Sequence, residues 1–201
     1  MPKIVDKSQK RIEIARKAMA LFAEYGFENT PIRRITAHVG IGKGTFYDYF
    51  KDKEDILNEI VQIMFADWTE LLVAKIGRQE DPLQQLFTLL QEGANLGDAF
   101  KQMMIIYVDI WRWSVSHKES EEFVDKFRYF LLDSKTAVAG IIKKGQAEGR
   151  IAAELDPAAL AGALIALIDG MCMHHMILKQ DFDVDTVCRS FFDAMVNGIR
   201  P

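Results

Sequence analysis

Apolar residues recur along this chain with the spacing of helices. Ile14, Ala18, Leu21 and Tyr25 fall at i, i+4, i+7 and i+11, flanked by Ala15, Met19 and Phe22. That spacing predicts a first helix with one broad apolar face. Gly26 closes it as a left-handed cap. Thr30 and Pro31 read as an N-cap and a first helical position, opening a short helix that buries Ile32, Ile35 and Val39. Gly40 stops this helix, Ile41 fills the turn, and Gly42 opens a third helix to Phe50. Asp52 caps a long fourth helix, with Leu57, Ile60, Val61, Met64, Trp68, Leu71 and Leu72 along one side. Later starts stand at Asp81-Pro82, near Asp98, at Ser116 with Glu119 as a capping box, at Asp156-Pro157, and at Asp183 or Asp185. The last helix ends near Gly198, and no segment alternates with period two. The expected class is all-α, with about nine helices.

Charge adds a division that the apolar pattern does not show. The net charge is -4, yet residues 1–53 carry eleven Lys/Arg against six Asp/Glu, and the rest carry fourteen against twenty-three. A basic module on an acidic body suggests a polyanionic partner for the first part alone, chance clustering on a solvated face being the other reading. With 49% hydrophobic residues, the 201-residue chain can build a substantial core. The polar, basic start is not followed by an apolar run, so no secretory signal is expected. The apolar stretch from Met103 to Val115 is broken by Asp109 and Arg112 and is too short to span a bilayer; it reads as a buried helix. Cys172 and Cys188 give no disulfide framework and no metal-ligand spacing, which fits a reducing cytoplasm; no membrane partner is expected.

The segment from Thr30 to Leu57 carries the candidate chemistry. Two short helices joined by a glycine-containing turn hold the second helix outside the core, where it can enter a major groove. Gly42 and Gly44 let the backbone approach a duplex closely. Phe46 and Phe50, four apart, are expected to pack inward. Lys43, Thr45, Tyr47, Asp48 and Tyr49 are left to face the groove, where Lys43 suits a guanine edge or a phosphate and the tyrosine hydroxyls suit phosphate oxygens. Lys53, Arg33 and Arg34 are candidate phosphate contacts, and Thr30 completes the set with Gly44. Each of these has a plainer reading as a solvated or, for Tyr47, a core side chain.

The whole string resembles the N-terminal module of the TetR family of repressors. The matching positions are Gly40, Ile41, Gly42, Gly44, Tyr47, Tyr49, Phe50, Lys53 and Leu57, with Ala18, Leu21, Phe22, Gly26, Phe27 and Thr30 upstream. Gly42 replaces the commoner Ser, and Thr36 and His38 stand where Ala and acidic residues are more usual. The resemblance is specific over roughly residues 10–57 and only topological beyond. It implies a helix-turn-helix domain at 1–52 and a helical ligand-binding and dimerisation domain at 53–201. It also implies binding of double-stranded operator DNA as a homodimer, with release by a small-molecule effector.

For the second part, the resemblance implies a dimer through the last two helices. The candidate stripe is Leu160, Leu164, Leu167 and Met171, with Phe191 and Met195 on the next helix; the alternative is that these face their own core. Met103, Met104, Tyr107 and Trp111 lie on a helix apolar nearly all round, which must be covered by core, partner or ligand. Phe65 and Trp68 would face the same cavity, suited to an apolar or aromatic effector. Adjacent His174 and His175 point about 100° apart and do not make a metal pair. No nucleophile elbow, phosphate loop or metal-ligand spacing is present, so neither enzymatic activity nor a cofactor is expected. A helical ligand-binding module whose N-terminal trihelix meets a protein is the alternative function.

Overall fold

The computed structural model describes residues 6–94, 108 and 121–199. Among them it holds eight α-helices and no strand. Helix α1 is Lys7–Tyr25, α2 Ile32–Val39, α3 Lys43–Tyr47, α4 Lys53–Ile76, α5 Pro82–Ala94, α6 Glu121–Ala147, α7 Pro157–Leu178 and α8 Val184–Ile199. The helix expected from Asp98 to Ser114, the Ser116 capping box, and the ligand candidates Met103, Met104, Tyr107 and Trp111 lie outside the described residues.

Packing divides the chain within α4: residues up to Trp68 belong to one compact unit, and Thr69 onward through α5 to a second, with residues 125–199. The sequence placed that division at 52/53. The first turns of α4 belong to the head because Ile56, Leu57, Ile60 and Val61 are each under 5% exposed in its core.

In the first unit, α1 begins at Asp6, whose carboxylate accepts from Ser8 N at 2.9 Å. Ile14, Ala15, Ala18, Leu21 and Phe22 form its buried face, as the periodicity predicts. Tyr25 is not part of that face; it is 41% exposed under the Arg34 guanidinium. Gly26 has φ 75 but ψ 164, so it ends the helix without the left-handed cap geometry. Arg16 clamps α1 to α4 through a two-pronged ion pair with Asp67, at 2.6 and 2.8 Å.

The second unit wraps α5 with α6, α7 and α8. Asp81, Asp156 and Asp183 cap α5, α7 and α8, each accepting from first-turn amides. Leu86 and Leu90, Ile142, Leu164, Cys188 and Phe192 fill the core. A Cβ on Gly93 would stand 3.0 Å from Ile168 Cδ1, so glycine there lets α5 approach α7. After α6 the chain turns through Gly149, at φ 65, and Ala152 N donates to Ile199 O at 2.7 Å, tying this turn to the end of α8. Leu71, expected on the α4 stripe, is 48% exposed, whereas Leu72 and Ile76 pack on this core.

On helix α7 the stripe expected at an interface lies against this unit's own core, the alternative the sequence left open. Leu164 and Met171 are 1% and 3% exposed, and Leu160 and Leu167 pack half-buried on the same core. The bulky stripe points inward because large aliphatics gain most from burial in their own fold. Its outer face is built of small and apolar residues: Ala159, Ala163, Ala166, Gly170, Met173 and Ile177 are exposed. At 100° per residue they share an arc of about 80°. On α8, Met195 leans on the core while Phe191 is exposed, beside Ala194 and Gly198.

Asp169 flanks this outer face. It keeps solvent on one side, yet the mass of the unit behind it desolvates the carboxyl and pushes its pKa from 3.8 up to about 6. An acid with a raised folded pKa stabilises the fold below its unfolded value and loses that contribution as pH rises through the folded value. Asp169→Asn is therefore expected to raise the melting temperature at pH 8 and leave it nearly unchanged at pH 4. Equal shifts at both pH values would contradict it.

Candidate nucleic-acid interface

The head presents α3 on a support of two aromatic rings. Phe46 and Phe50 are 0% and 1% exposed, with centroids 5.5 Å apart, seated in the core formed by α1, α2 and α4. Helix α3 is only five residues long, ending at Tyr47 rather than Phe50, and a helix that short has no stability of its own in water. Its position therefore comes from those two side chains. Gly40 makes the preceding turn in the left-handed region at φ 79 and ψ 36, and its amide closes on Thr36 O at 3.0 Å. Without a Cβ this conformation carries little strain.

The opposite side of α3 is open. Lys43, Gly44, Thr45, Tyr47 and Asp48 are all exposed, Tyr47 by 49%. Gly42 is the N-cap residue, in extended conformation and without a side-chain cap bond. A Cβ added to Gly44 would meet nothing within 4 Å, so the fold itself does not demand glycine there. Alanine in a helix is favoured over glycine by up to about 1 kcal/mol. Gly44→Ala is expected to hold or raise the melting temperature while weakening duplex binding. A variant that bound as well as the wild type would remove the need for close backbone approach.

The remaining candidates divide. Arg33 is exposed on α2. Arg34 is exposed too, but its guanidinium donates to Asn29 O at 3.0 Å and lies 4.3 Å over the Tyr25 ring, which fixes its direction. Tyr49 is half-buried against the head core. Lys53 bends back, with Nζ donating to Phe27 O at 2.9 Å and lying 4.2 Å over the Phe27 ring. Thr30 departs from expectation: it is 0% exposed, and its hydroxyl donates to Gly26 O at 2.7 Å. It braces the α1–α2 turn from inside, and Pro31, not Thr30, is the α2 N-cap. Phe65 packs half-buried on the head core, and Trp68 is half-buried on the same helix.

One side chain that ties the head together is not legible in the sequence. Arg11 joins α1 to Asp55 and Glu59 on α4 and to the Tyr49 carbonyl just beyond α3. An arginine three residues before the first core isoleucine reads as surface charge, and nothing in the spacing says where its carboxylates lie.

Comparison with known proteins places this geometry. Residues 14–60 match the family model "Bacterial regulatory proteins, tetR family", and residues 116–191 match "Tetracyclin repressor-like, C-terminal domain". The fatty acid metabolism regulator protein of Bacillus subtilis (strain 168) is 23% identical over 194 residues, covering 96% of this chain and 97% of that protein. A crystal structure of a TetR-family regulator from Cytophaga hutchinsonii superposes with a TM-score of 0.81 at 20% identity, covering 98% of each chain. The FadR regulator from Bacillus subtilis in complex with stearoyl-CoA gives 0.74 at 20% identity, covering 94% of this chain and 98% of that one.

Proposed function

Because the chain belongs to the TetR family of bacterial regulatory proteins, we propose that it is a cytoplasmic, dimeric, ligand-responsive repressor. Its head binds a pseudo-palindromic operator, and a small, largely apolar or aromatic effector bound within residues 53–201 releases it. The observation that carries this reading is the two-faced segment 43–50, with Phe46 and Phe50 buried and Lys43, Gly44, Thr45, Tyr47 and Asp48 exposed. Amides at the start of such a helix, with Lys43 and Tyr47, suit phosphate and base edges. Arg33 and Arg34 on α2 serve the backbone, and Lys53 supports the turn behind them.

The homodimer rests on the outer faces of α7 and α8. An 18-residue stretch of α7 has a mean hydropathy of 1.5 with only 28% of it buried, enough by length and composition to cross a bilayer. The reading assigns this face to a second copy instead. Small residues at Ala159, Ala163, Ala166 and Gly170 let two helices approach closely, and Phe191 with Ala194 extends the surface. Leu160, Leu164, Leu167, Met171 and Met195 form the floor beneath. A dimer of this kind sets two recognition helices about one duplex turn apart, roughly 34–36 Å.

The effector class is supported by the relatives named above, one a fatty acid metabolism regulator and one in complex with stearoyl-CoA. Phe65 and Trp68, with Met103, Met104, Tyr107 and Trp111, are the proposed contacts. In this reading, effector entry shifts helix α4, Lys53–Ile76, which carries Lys53 at its start. Release needs a coupling of only about 1–3 kcal/mol. The test is enrichment of duplexes from a random pool by the purified protein. The reading predicts a two-fold sequence with half-sites one turn apart, and a pool that stays random contradicts it.

A further inference from the structure

The geometry points to Arg11 as the positioning residue of the head: it locks the turn after α3 to α1 and α4, and so sets how α3 is presented to DNA. This rests on the DNA-binding reading above. The guanidinium makes four hydrogen bonds inside the head, one of them to Asp55 Oδ2 at 3.3 Å. Nε donates to Glu59 Oε2 at 2.6 Å, one terminal nitrogen to Asp55 Oδ1 at 2.5 Å, and the other to the Tyr49 carbonyl. Its Cζ lies 4.4 Å from the centroid of the Phe50 ring, the same ring that packs on Phe46 beneath α3. Its side chain is 28% exposed.

Asp55 completes the lock from the α4 side. Its Oδ2 accepts from Lys51 N at 2.9 Å, and its own amide donates to Asp52 Oδ1 at 2.8 Å. The turn from Tyr49 to Asp52 is thereby held at both ends, by Arg11 on a carbonyl and by Asp55 on an amide. An arginine fork can serve two carboxylates, a carbonyl and a ring at once, whereas lysine offers one point of charge. With four bonds made inside the head, the Arg11 guanidinium serves the turn after α3 rather than a phosphate. Its influence on DNA passes through the direction of α3 alone.

Salt dependence separates positioning from contact. A residue that neutralises a phosphate lowers the slope of log affinity against log salt by about one when removed. The test uses the whole 201-residue chain and a duplex that the wild type enriches from a random pool, with a scrambled duplex as control. Arg11→Met and Arg11→Lys are measured at a temperature where circular dichroism shows each to be folded, so that lost stability does not enter. Arg11→Met is expected to weaken the enriched duplex about tenfold or more and the scrambled duplex no more than about twofold, with the salt slope unchanged. Arg11→Lys, which can keep a charge near the carboxylates but cannot hold all four partners, falls between Arg11→Met and wild type. Wild-type affinity in both folded variants overturns the inference, as does an equal loss on both duplexes or a reduced salt slope. A wild type that enriches no duplex overturns the DNA-binding reading itself, and the inference with it.

Discussion

Glutamate at both Ala166 and Gly170 is expected to give a folded monomer that has lost specific DNA binding. Both positions lie on the outer face of α7, exposed in the single chain, so two charges there disturb no core contact. In the proposed dimer they meet their symmetry mates across a surface of alanines and glycine, where desolvated like charges cost several kcal/mol. A monomer holds one half-site. Its affinity falls from the range of specific complexes, about 10⁻⁸–10⁻¹¹ M, toward the non-specific range, about 10⁻⁴–10⁻⁶ M. The loss is thus at least about a hundredfold. Light scattering after gel filtration reads the assembly state, and anisotropy reads the affinity. Leu164→Ala is the contrasting variant: 1% exposed, it is expected to lose about 2–5 kcal/mol of stability and remain a dimer. If Leu164→Ala dissociated the protein and the double glutamate variant did not, the bulky stripe would be the interface after all.

Phe46→Ala is expected to unsettle the head more than any single exposed change. The ring is 0% exposed, stands 5.5 Å from Phe50 and 5.4 Å from Tyr47, and anchors a helix of five residues. Truncating a buried phenylalanine costs about 3–5 kcal/mol, a large part of the roughly 5–15 kcal/mol that holds a domain. Without it α3 keeps only the Phe50 anchor just beyond its end, and the Phe50 ring under the Arg11 guanidinium loses its packing partner. Denaturant titration should show the lower midpoint, with the loss confined to the head's transition if the two units unfold separately. A cost below about 1 kcal/mol would mean that α3 is held by something other than these rings.

The helical class, the buried stripe of α1, the inward Phe46 and Phe50, and the caps at Asp52, Asp81 and Asp156 were legible in sequence, because each follows from local periodicity or local hydrogen bonding. What was misread depends on tertiary choice. The chain offers α7 two apolar faces, one bulky and one small, and periodicity alone does not say which turns inward. The bulky face goes to the core, since it buries more area, and the small face is left outside. Thr30 looked like a cap because it precedes Pro31, but its hydroxyl turns back to the Gly26 carbonyl, a contact made across a turn. Lys53 likewise reads as surface charge until the Phe27 carbonyl is seen beneath it. Arg11 was illegible for the same reason: its partners stand 44 and 48 residues away.

The central claim is that the exposed side of α3 reads DNA. The most direct measurement is fluorescence-anisotropy binding of the wild type, and of a variant with Lys43 and Tyr47 changed to Ala, to DNA from the gene's own upstream region and to random DNA, across a range of salt. The account predicts tight wild-type binding to the first DNA alone, falling steeply as salt rises, and loss of that preference in the folded variant. Equal affinity of wild type and variant for the preferred DNA would contradict it, and would move the DNA contact away from α3.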